Sequence, residues 1–276
     1  MPGVDAHHHF WSVARGDYSW MDPANPVQRP ILRDFRPADF APFREKWGIE
    51  RTILVQAAPT VEETEYLLGI ADATPWVGKV VGWIDFEDGS HRRHLERLAR
   101  HPKFAGVRPM IQDLPDPGWM HRREVQWAYD AIVDLDLAFD ALGYPVHAEN
   151  FLRLFDRYPS MRTVVDHCMK PAIRDGAFEP WASTMARIAR QTGAFCKLSG
   201  LVTEAQREWT PEILAPYVRH ILQAFGPERV MWGSDWPVVE LAATYDRWRE
   251  TAERLIGNEG RDAVFGGTAT RFYRLS

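Results

Sequence analysis

The sequence predicts a single α/β domain over residues 1–276, folded as a closed (β/α)8 TIM barrel. Eight strand-like segments recur along the chain, and stretches of helical period separate most of them. Strands that alternate with helices form a parallel sheet. A chain of 276 residues, 45% of them hydrophobic, is long enough for one barrel of eight such units. A doubly wound open sheet is the alternative, but no glycine-rich turn follows the first strand.

Each element is recognised by its own pattern, in chain order. The strand segments are short apolar or alternating runs: 3–10, 51–57, 80–86, 104–110, 137–143, 162–167, 194–200 and 229–235. The clearest helical segments show an apolar residue every three or four positions: 91–101, 124–135, 148–158 and 211–225.

Composition excludes several classes of partner. The formal net charge of −5 is spread along the chain without a basic block, so nucleic acid and anionic membranes are not expected. We find no apolar run of about 18 residues and no signal-peptide pattern. Two cysteines, Cys168 and Cys196, do not form a disulfide framework. We therefore expect a cytoplasmic protein, monomer or homodimer, that acts on a small molecule.

Two segments lack regular period and follow strand ends. They cover residues 10–36 and 109–123 and are rich in aromatic residues, proline and arginine. In a barrel, loops after strand ends lie over the carboxyl-terminal face, where active sites are built. Long irregular loops in compact domains often act as lids, so we expect lids here. Ordered surface loops without function are the alternative.

Three consecutive histidines end the first strand segment. Side chains alternate across a strand, so Asp5, His7 and His9 are expected on one face and His8 on the other. Two neutral imidazoles on one face form half of a metal site. A solvated or hydrogen-bonded histidine pair is the alternative.

Two further strand ends carry acid–base side chains. His167 ends the sixth segment, where Asp166 is expected to alternate away, and Asp235 ends the eighth. A buried carboxylate at a barrel mouth needs a cation or hydrogen-bond donors. His7, His9, His167 and Asp235 are therefore expected to converge, either as a Zn²⁺-type site or as a metal-free site for proton transfer.

Other residues near strand ends are candidates for contact with substrate. Arg108 is a planar donor suited to carboxylates or hydroxyls, with a structural salt bridge as its alternative role. Trp11, Trp119 and Trp236 are candidate apolar walls. The remaining candidates are Lys170, Gln56, Tyr144, Asp140 and His147.

Several motifs together resemble one family. The segments DAHHHFW, GVRPMIQDLPDPGW, VVDHCMKP, CKLSGLVTEA, FGPERVMWGSDWPV and FGGTATRFYRL are similar to the lactonase group of the amidohydrolase superfamily. That group includes L-fuconolactonases, L-rhamnonolactonases and pyrone-dicarboxylate lactonases. The resemblance implies a (β/α)8 barrel that hydrolyses a cyclic ester. Cys168-Met169 stands where the family often has Leu-Gly, and Thr268 where it usually has Asn.

The resemblance also implies roles for the matching positions. His7 and His9 match the His-x-His of the first strand, His167 the histidine of the sixth, and Asp235 the aspartate of the eighth. Arg108 matches an arginine that binds substrate in some members. We expect Asp235 to act as general base and then general acid in opening a sugar, muconolactone or pyrone-type lactone.

The carbonyl group of the lactone is polarised in one of two ways. One divalent cation, Zn or Mn, is held by His7, His9, His167 and Asp235, or the histidines and Arg108 contact the oxyanion directly. We treat the cation as optional. A metal-dependent decarboxylase of aromatic acids on the same barrel is the alternative function, against which the GVRPMIQD and FGPERVMWGSDWPV segments argue.

Overall fold

The computed structural model describes residues 3–275 and confirms the (β/α)8 barrel. Eight parallel strands follow one another around the sheet in sequence order. They are β1 Gly3–His8, β2 Ile49–Val55, β3 Val77–Gly82, β4 Phe104–Val107, β5 Ala138–Ala141, β6 Arg162–Val165, β7 Phe195–Leu198 and β8 Val230–Trp232. The barrel closes just past β8, where His9 N donates to Trp236 O over 2.7 Å and Asp235 N donates to His7 O over 2.8 Å.

Helices connect the strands and cover the outside of the barrel. They are α1 Pro37–Trp47, α2 Val61–Ala73, α3 Arg92–Leu98, α4 Gln126–Asp134, α5 Ala148–Arg157, α6 Trp181–Gln191, α7 Leu201–Glu204, α8 Pro211–Phe225, α9 Tyr245–Ile256 and α10 Thr268–Tyr273. Within the described residues, no helix has the length and apolar character of a membrane span.

Small and branched side chains fill the inside of the barrel. Val4, Ala6, Ile53, Val55, Val81, Ala105, Ala138, Val164 and Met231 pack there against Phe272 and Tyr273 of α10. The strands approach closely at Gly106, where a Cβ atom would lie 2.1 Å from the carbonyl oxygen of Ala138. Through Phe272 and Tyr273, helix α10 packs against the inside of the barrel. It lies at the end of the barrel opposite the carboxyl ends of the strands.

A β-bulge in β1 changes which side chains face inward. Asp5 pairs with Thr52 and His8 with Leu54, so the pairing advances by three residues on β1 and by two residues on β2. The carboxylate of Asp5 consequently faces outward and accepts hydrogen bonds from Tyr245 of α9 (3.2 Å) and from the backbone of Ser234 (2.9 Å). The expectation that Asp5 shares a face with His7 is wrong, because the bulge interrupts the alternation.

A buried carboxyl group at the start of α2 makes folding sensitive to pH. Glu63 is fully buried, and its Oε1 accepts a hydrogen bond from Ala57 N over 3.0 Å. Burial raises its pKa from 4.5 to about 8. The folded state therefore keeps a proton that the unfolded chain releases above pH 4.5, and stability falls as pH rises from 4.5 towards 8.

The substitution Glu63→Gln is expected to flatten this pH dependence, because an amide holds no titratable proton. The wild type should lose up to about 1.4 kcal/mol per pH unit relative to the variant across that window. Melting temperature measured against pH tests this, with the exposed Glu65→Gln on the same helix as control. Parallel curves for Glu63→Gln and wild type would contradict a raised pKa at this residue.

Candidate active site at the carboxyl ends of the strands

A cavity of about 220 Å³ lies over the carboxyl ends of the strands. Five residues singled out in the sequence line it: His9, Arg108, His167, Lys170 and Asp235. Both irregular segments contribute to its wall, the first through Trp20 and Gln28 and the second through Met110 and Gln112. These loops therefore lie where the sequence places them, and their action as lids stays a prediction.

The four acid–base side chains meet at the base of this cavity. Asp235 Oδ1 lies 3.3 Å from His9 Nε2 and 3.7 Å from His7 Nε2. The His7 ring centroid is 4.5 Å from that of His167 and 5.0 Å from that of His9. His7 is fully buried beneath the other three. Side chains from β1 and the ends of β6 and β8 thus form one cluster.

Left-handed backbone conformations orient the side chains of Asp235 and His167. Asp235 has φ +59°, and a run from His167 to Lys170 has φ between +45° and +60°. Non-glycine residues rarely adopt this region, and such strain is typical of functional sites. Because β6 ends at Val165, strand alternation does not extend to the turn that follows.

Asp166 faces inward, as Val164 does two residues before it, and the left-handed turn that begins at His167 brings His167 to the same side. The expectation that Asp166 alternates away from the site is therefore wrong. Its fully buried carboxylate lies 3.1 Å from Lys197 Nζ, 3.5 Å from an Arg108 guanidinium nitrogen and 3.7 Å from His7 Nδ1. Asp166 is therefore a member of the polar cluster beneath the cavity.

Hydrogen bonds fix the orientation of two imidazoles. His9 Nδ1 lies 2.8 Å from the carbonyl oxygen of Val55, which only accepts, so Nδ1 carries the hydrogen. His9 Nε2 then presents a lone pair to the carboxylate of Asp235. The Nδ1 atom of His167 is hydrogen-bonded to Ser199 Oγ over 2.8 Å. Two electron-rich atoms thus face each other across 3.3 Å, an arrangement that a proton or a cation stabilises.

The side chains fit a divalent cation. Ligand atoms of His7, His9 and Asp235 lie within 4.8 Å of one another, and so do those of His7, Asp166 and His167. Ligands on a tetrahedral Zn²⁺ at about 2.0 Å lie about 3.3 Å apart. That separation matches the distance between His9 Nε2 and Asp235 Oδ1. An acceptor for the N–H of the second ring nitrogen, as Val55 O is for His9, is also typical of metal-binding histidines.

Burial and neighbouring charges set the protonation states. Burial lowers the pKa of His7, His9 and His167, which keeps the three rings neutral at pH 7. Burial alone would raise the pKa of Asp235, but His167 and His9 lower it below its usual value. The site therefore presents an ionised carboxylate beside neutral imidazoles, as a general base requires.

Gly200 allows His167 to occupy its position. It follows β7 with φ +65°, and a Cβ atom there would lie 2.7 Å from His167 Nδ1. The side chain of His167 thus packs directly on the backbone of the neighbouring strand end.

The substitution Gly200→Ala is expected to lower kcat by about 10- to 100-fold, because the methyl group displaces the imidazole. Gly176→Ala is the matched control, since Gly176 has φ +66° and no atom within 4 Å of its added Cβ. Steady-state kinetics of both variants, with melting temperatures, test this. Equal loss of activity in the two would mean that backbone strain alone, and not displacement of His167, is responsible.

The three tryptophans proposed as walls do not line the cavity. Their indole nitrogens donate elsewhere: Trp11 to Arg33 O (2.9 Å), Trp119 to Glu87 (3.0 Å) and Trp236 to Glu240 (2.8 Å). Trp20, which was not among the sequence candidates, forms the aromatic wall instead. The sequence predicts that the loop of residues 10–36 lies over the site, but this loop has no regular period that would single out Trp20.

Four other candidates also lie outside the cavity lining. Gln56 is fully buried, and its amide donates to the carbonyl oxygen of Arg108 over 2.7 Å, so it supports Arg108. Tyr144 is 39% exposed, and its ring lies 5.2 Å from Lys170 Nζ. His147 is buried with Nδ1 accepting from Tyr144 N, and Asp140 lies inside the barrel against Lys197. Direct contact with substrate through these four is not supported by their positions.

The comparisons with known proteins agree with this geometry. The model of the amidohydrolase family matches residues 4–275. An L-fucono-1,5-lactonase of Burkholderia ambifaria is 43% identical over 281 residues, which cover 99% of this chain and 95% of that protein. An L-fucono-1,5-lactonase of Burkholderia multivorans is 35% identical over 298 residues, covering 99% and 96%.

A solved structure is similar over its whole length. It is the crystal structure of an amidohydrolase from Burkholderia multivorans with bound Zn, with TM-score 0.92, 31% identity and complete coverage of both chains. These comparisons confirm the predicted enzyme class, a hydrolase. The chain belongs to the amidohydrolase family, as its motifs predict.

Proposed function

We propose that this protein hydrolyses a sugar lactone of the L-fucono-1,5-lactone type. The observation that carries the proposal is the position of the Asp235 carboxylate, 3.3 Å from His9 Nε2 at the base of a small cavity. The cavity volume of about 220 Å³ suits a single sugar-sized ring. Two relatives that span nearly the whole chain are named for this activity.

Asp235 is the general base in this mechanism. It takes a proton from the water that attacks the lactone carbonyl, and it later returns that proton to the ring oxygen as the C–O bond breaks. The lowered pKa of Asp235 keeps its carboxylate ionised, so it is free to accept the proton. The carbonyl oxygen becomes negatively charged during attack and needs a donor.

Arg108 supplies that donor. Its guanidinium lines the cavity and is held by a hydrogen bond to the carbonyl oxygen of Gln56 and by the carboxylate of Asp166. His7, His9, His167 and Asp235 would hold a divalent cation, Zn or Mn, which when bound would polarise the carbonyl group as a Lewis acid. Because Arg108 is held in place, the chain's own side chain can polarise the lactone carbonyl group.

The rest of the wall suits a hydroxylated ring. Gln28, Gln112 and Glu204 offer amide and carboxylate groups for sugar hydroxyls, and Trp20 offers an apolar face. Lys170 lies 4.0 Å from Glu204, which completes a polar rim. A cytoplasmic location, a role in carbohydrate metabolism and a monomeric or homodimeric state stay predictions.

A pH-indicator screen of lactones tests the proposal. We expect L-fucono-1,5-lactone and related six-carbon aldonolactones to be opened well above the spontaneous rate, and pyrone and muconolactone compounds to be poorer substrates. Parallel measurement of carbon dioxide release from aromatic acids tests the decarboxylase alternative. Carbon dioxide release without lactone opening would overturn the proposal.

A further inference from the structure

We propose that Lys197 is a positioning residue that fixes which ring nitrogen of His7 carries hydrogen. It holds the hydrogen on Nε2, so that His7 directs an N–H group at Asp235 and does not offer a lone pair to a cation. The role assigned to Asp235 rests on the proposed function, whereas the state of the His7 ring does not.

Lys197 lies on β7, fully buried inside the barrel. Its Nζ atom donates to Asp140 Oδ2 and, over 3.2 Å, to His7 Nδ1, and it lies 3.1 Å from Asp166 Oδ1. An ammonium group has three hydrogens and accepts none. The ammonium group therefore donates to Asp140 and to Nδ1 of His7, which is an acceptor, and forms an ion pair with Asp166.

A second layer holds Lys197 in place. The hydroxyl group of Tyr273 on α10 donates to the carboxylate of Asp140, at 2.8 Å from Oδ2 and 3.0 Å from Oδ1. Asp140 is fully buried, so its charge depends on these two partners. The contact chain runs from α10 through Asp140 and Lys197 to His7, inside the barrel.

A competing contact favours the other tautomer but is weaker. An Arg108 guanidinium nitrogen lies 3.4 Å from His7 Nε2 and would donate there if Nδ1 carried the hydrogen. This contact is longer than the 3.2 Å from Lys197 Nζ to His7 Nδ1, and the same nitrogen also lies 3.5 Å from the Asp166 carboxylate as an ion pair. A hydrogen on Nδ1 would instead point at the Lys197 ammonium, and its nearest acceptor, Asp166 Oδ1, is 3.7 Å away.

The two histidines of the first strand therefore differ. His9 carries its hydrogen on Nδ1, bound to Val55 O, and presents a lone pair on Nε2. His7 presents an N–H group from Nε2, which faces Asp235 Oδ1 across 3.7 Å. His9 is ready to bind a cation, whereas His7 must first move its hydrogen.

Nitrogen-15 NMR of the histidine rings in metal-free protein at neutral pH tests the inference. The His7 signals are assigned by their loss in His7→Gln. We expect Nδ1 of His7 to show the shift of an unprotonated nitrogen and Nε2 that of a protonated one. The reverse pattern in the wild type would overturn the proposal, and this measurement needs neither substrate nor activity.

A charge-balanced variant tests the part played by Lys197. Lys197→Met alone would strengthen cation binding simply by removing positive charge, so we pair it with Asp140→Asn. In this double variant we expect the hydrogen to move to Nδ1 and zinc to bind about tenfold tighter by calorimetry, because Nε2 of His7 then offers a lone pair without losing a proton. Lys103→Met with Asp72→Asn is the matched control. It is expected to leave the position of the hydrogen on His7 and the zinc affinity unchanged.

Zinc affinity that is unchanged or weaker in the folded double variant would contradict the role of Lys197. Loss of a purely structural contact would weaken zinc binding, so the direction of the change separates the two explanations. Should the double variant not fold, the ring spectrum of the wild type still decides which nitrogen carries hydrogen. A wild type that opens no lactone would refute the proposed function and leave this result intact.

Discussion

Replacing Asp235 with asparagine is expected to lower kcat for lactone hydrolysis by about 100- to 10,000-fold, because an amide cannot accept the proton of the attacking water. The change keeps the shape of the side chain. The hydrogen bond from Asp235 N to His7 O, which helps to close the barrel, involves only the backbone and remains. Melting temperature should therefore change little. Steady-state kinetics across pH 5 to 9 are the measurement.

Asp246→Asn is the control for this change, since Asp246 forms its contacts with Trp47 and Lys46 at the surface. It should keep wild-type kcat. A folded Asp235→Asn protein with near wild-type turnover would rule out Asp235 as the base. Another group would then have to act as the base. Among the described residues, Glu204 is the other carboxylate that lines the cavity.

Replacing Arg108 with methionine is expected to lower kcat by about 100- to 1,000-fold, because the developing oxyanion loses a fixed donor. The guanidinium is already held by Gln56 O and Asp166, so its donor position exists before substrate binds. An interaction that strengthens in the transition state affects kcat more than KM. We therefore expect KM to change by less than about threefold.

Arg122→Met serves as the control for this prediction, because Arg122 pairs with Asp116 and Glu87 and does not line the cavity. Its kinetic constants should match those of the wild type. A large rise in KM with kcat retained in Arg108→Met would mean that Arg108 anchors the bound lactone and does not stabilise the oxyanion.

The fold could be predicted because its pattern is local. Each strand is a short run of apolar residues, and each crossover helix has its own period. The positions of His167 and Asp235 followed from the same pattern, since the carboxyl ends of parallel strands in a barrel lie on one face. His7 and His9 could be placed because they lie two positions apart at the end of one strand, with only His8 between them.

The errors arose where the backbone departs from a regular strand. The bulge in β1 puts Asp5 and His7 on opposite faces, and the left-handed turn that begins at His167 puts His167 on the same side as Asp166. Single sequence positions do not reveal such irregularities. Lys197 was missed for a different reason. A lysine between cysteine and leucine looks like an interruption of an apolar strand, and its buried partners Asp140 and Asp166 lie on other strands.

Hydrolysis of L-fucono-1,5-lactone in water enriched in oxygen-18 tests the central claim most directly. We predict that the wild type forms the open acid far faster than the spontaneous reaction, with one labelled oxygen in the carboxylate, and that Asp235→Asn is about 100- to 10,000-fold slower, as expected for loss of the base. Label in the hydroxyl group that comes from the ring oxygen would contradict water attack on the carbonyl group. Catalysis by Asp235→Asn equal to that of the wild type would contradict general-base catalysis at this residue.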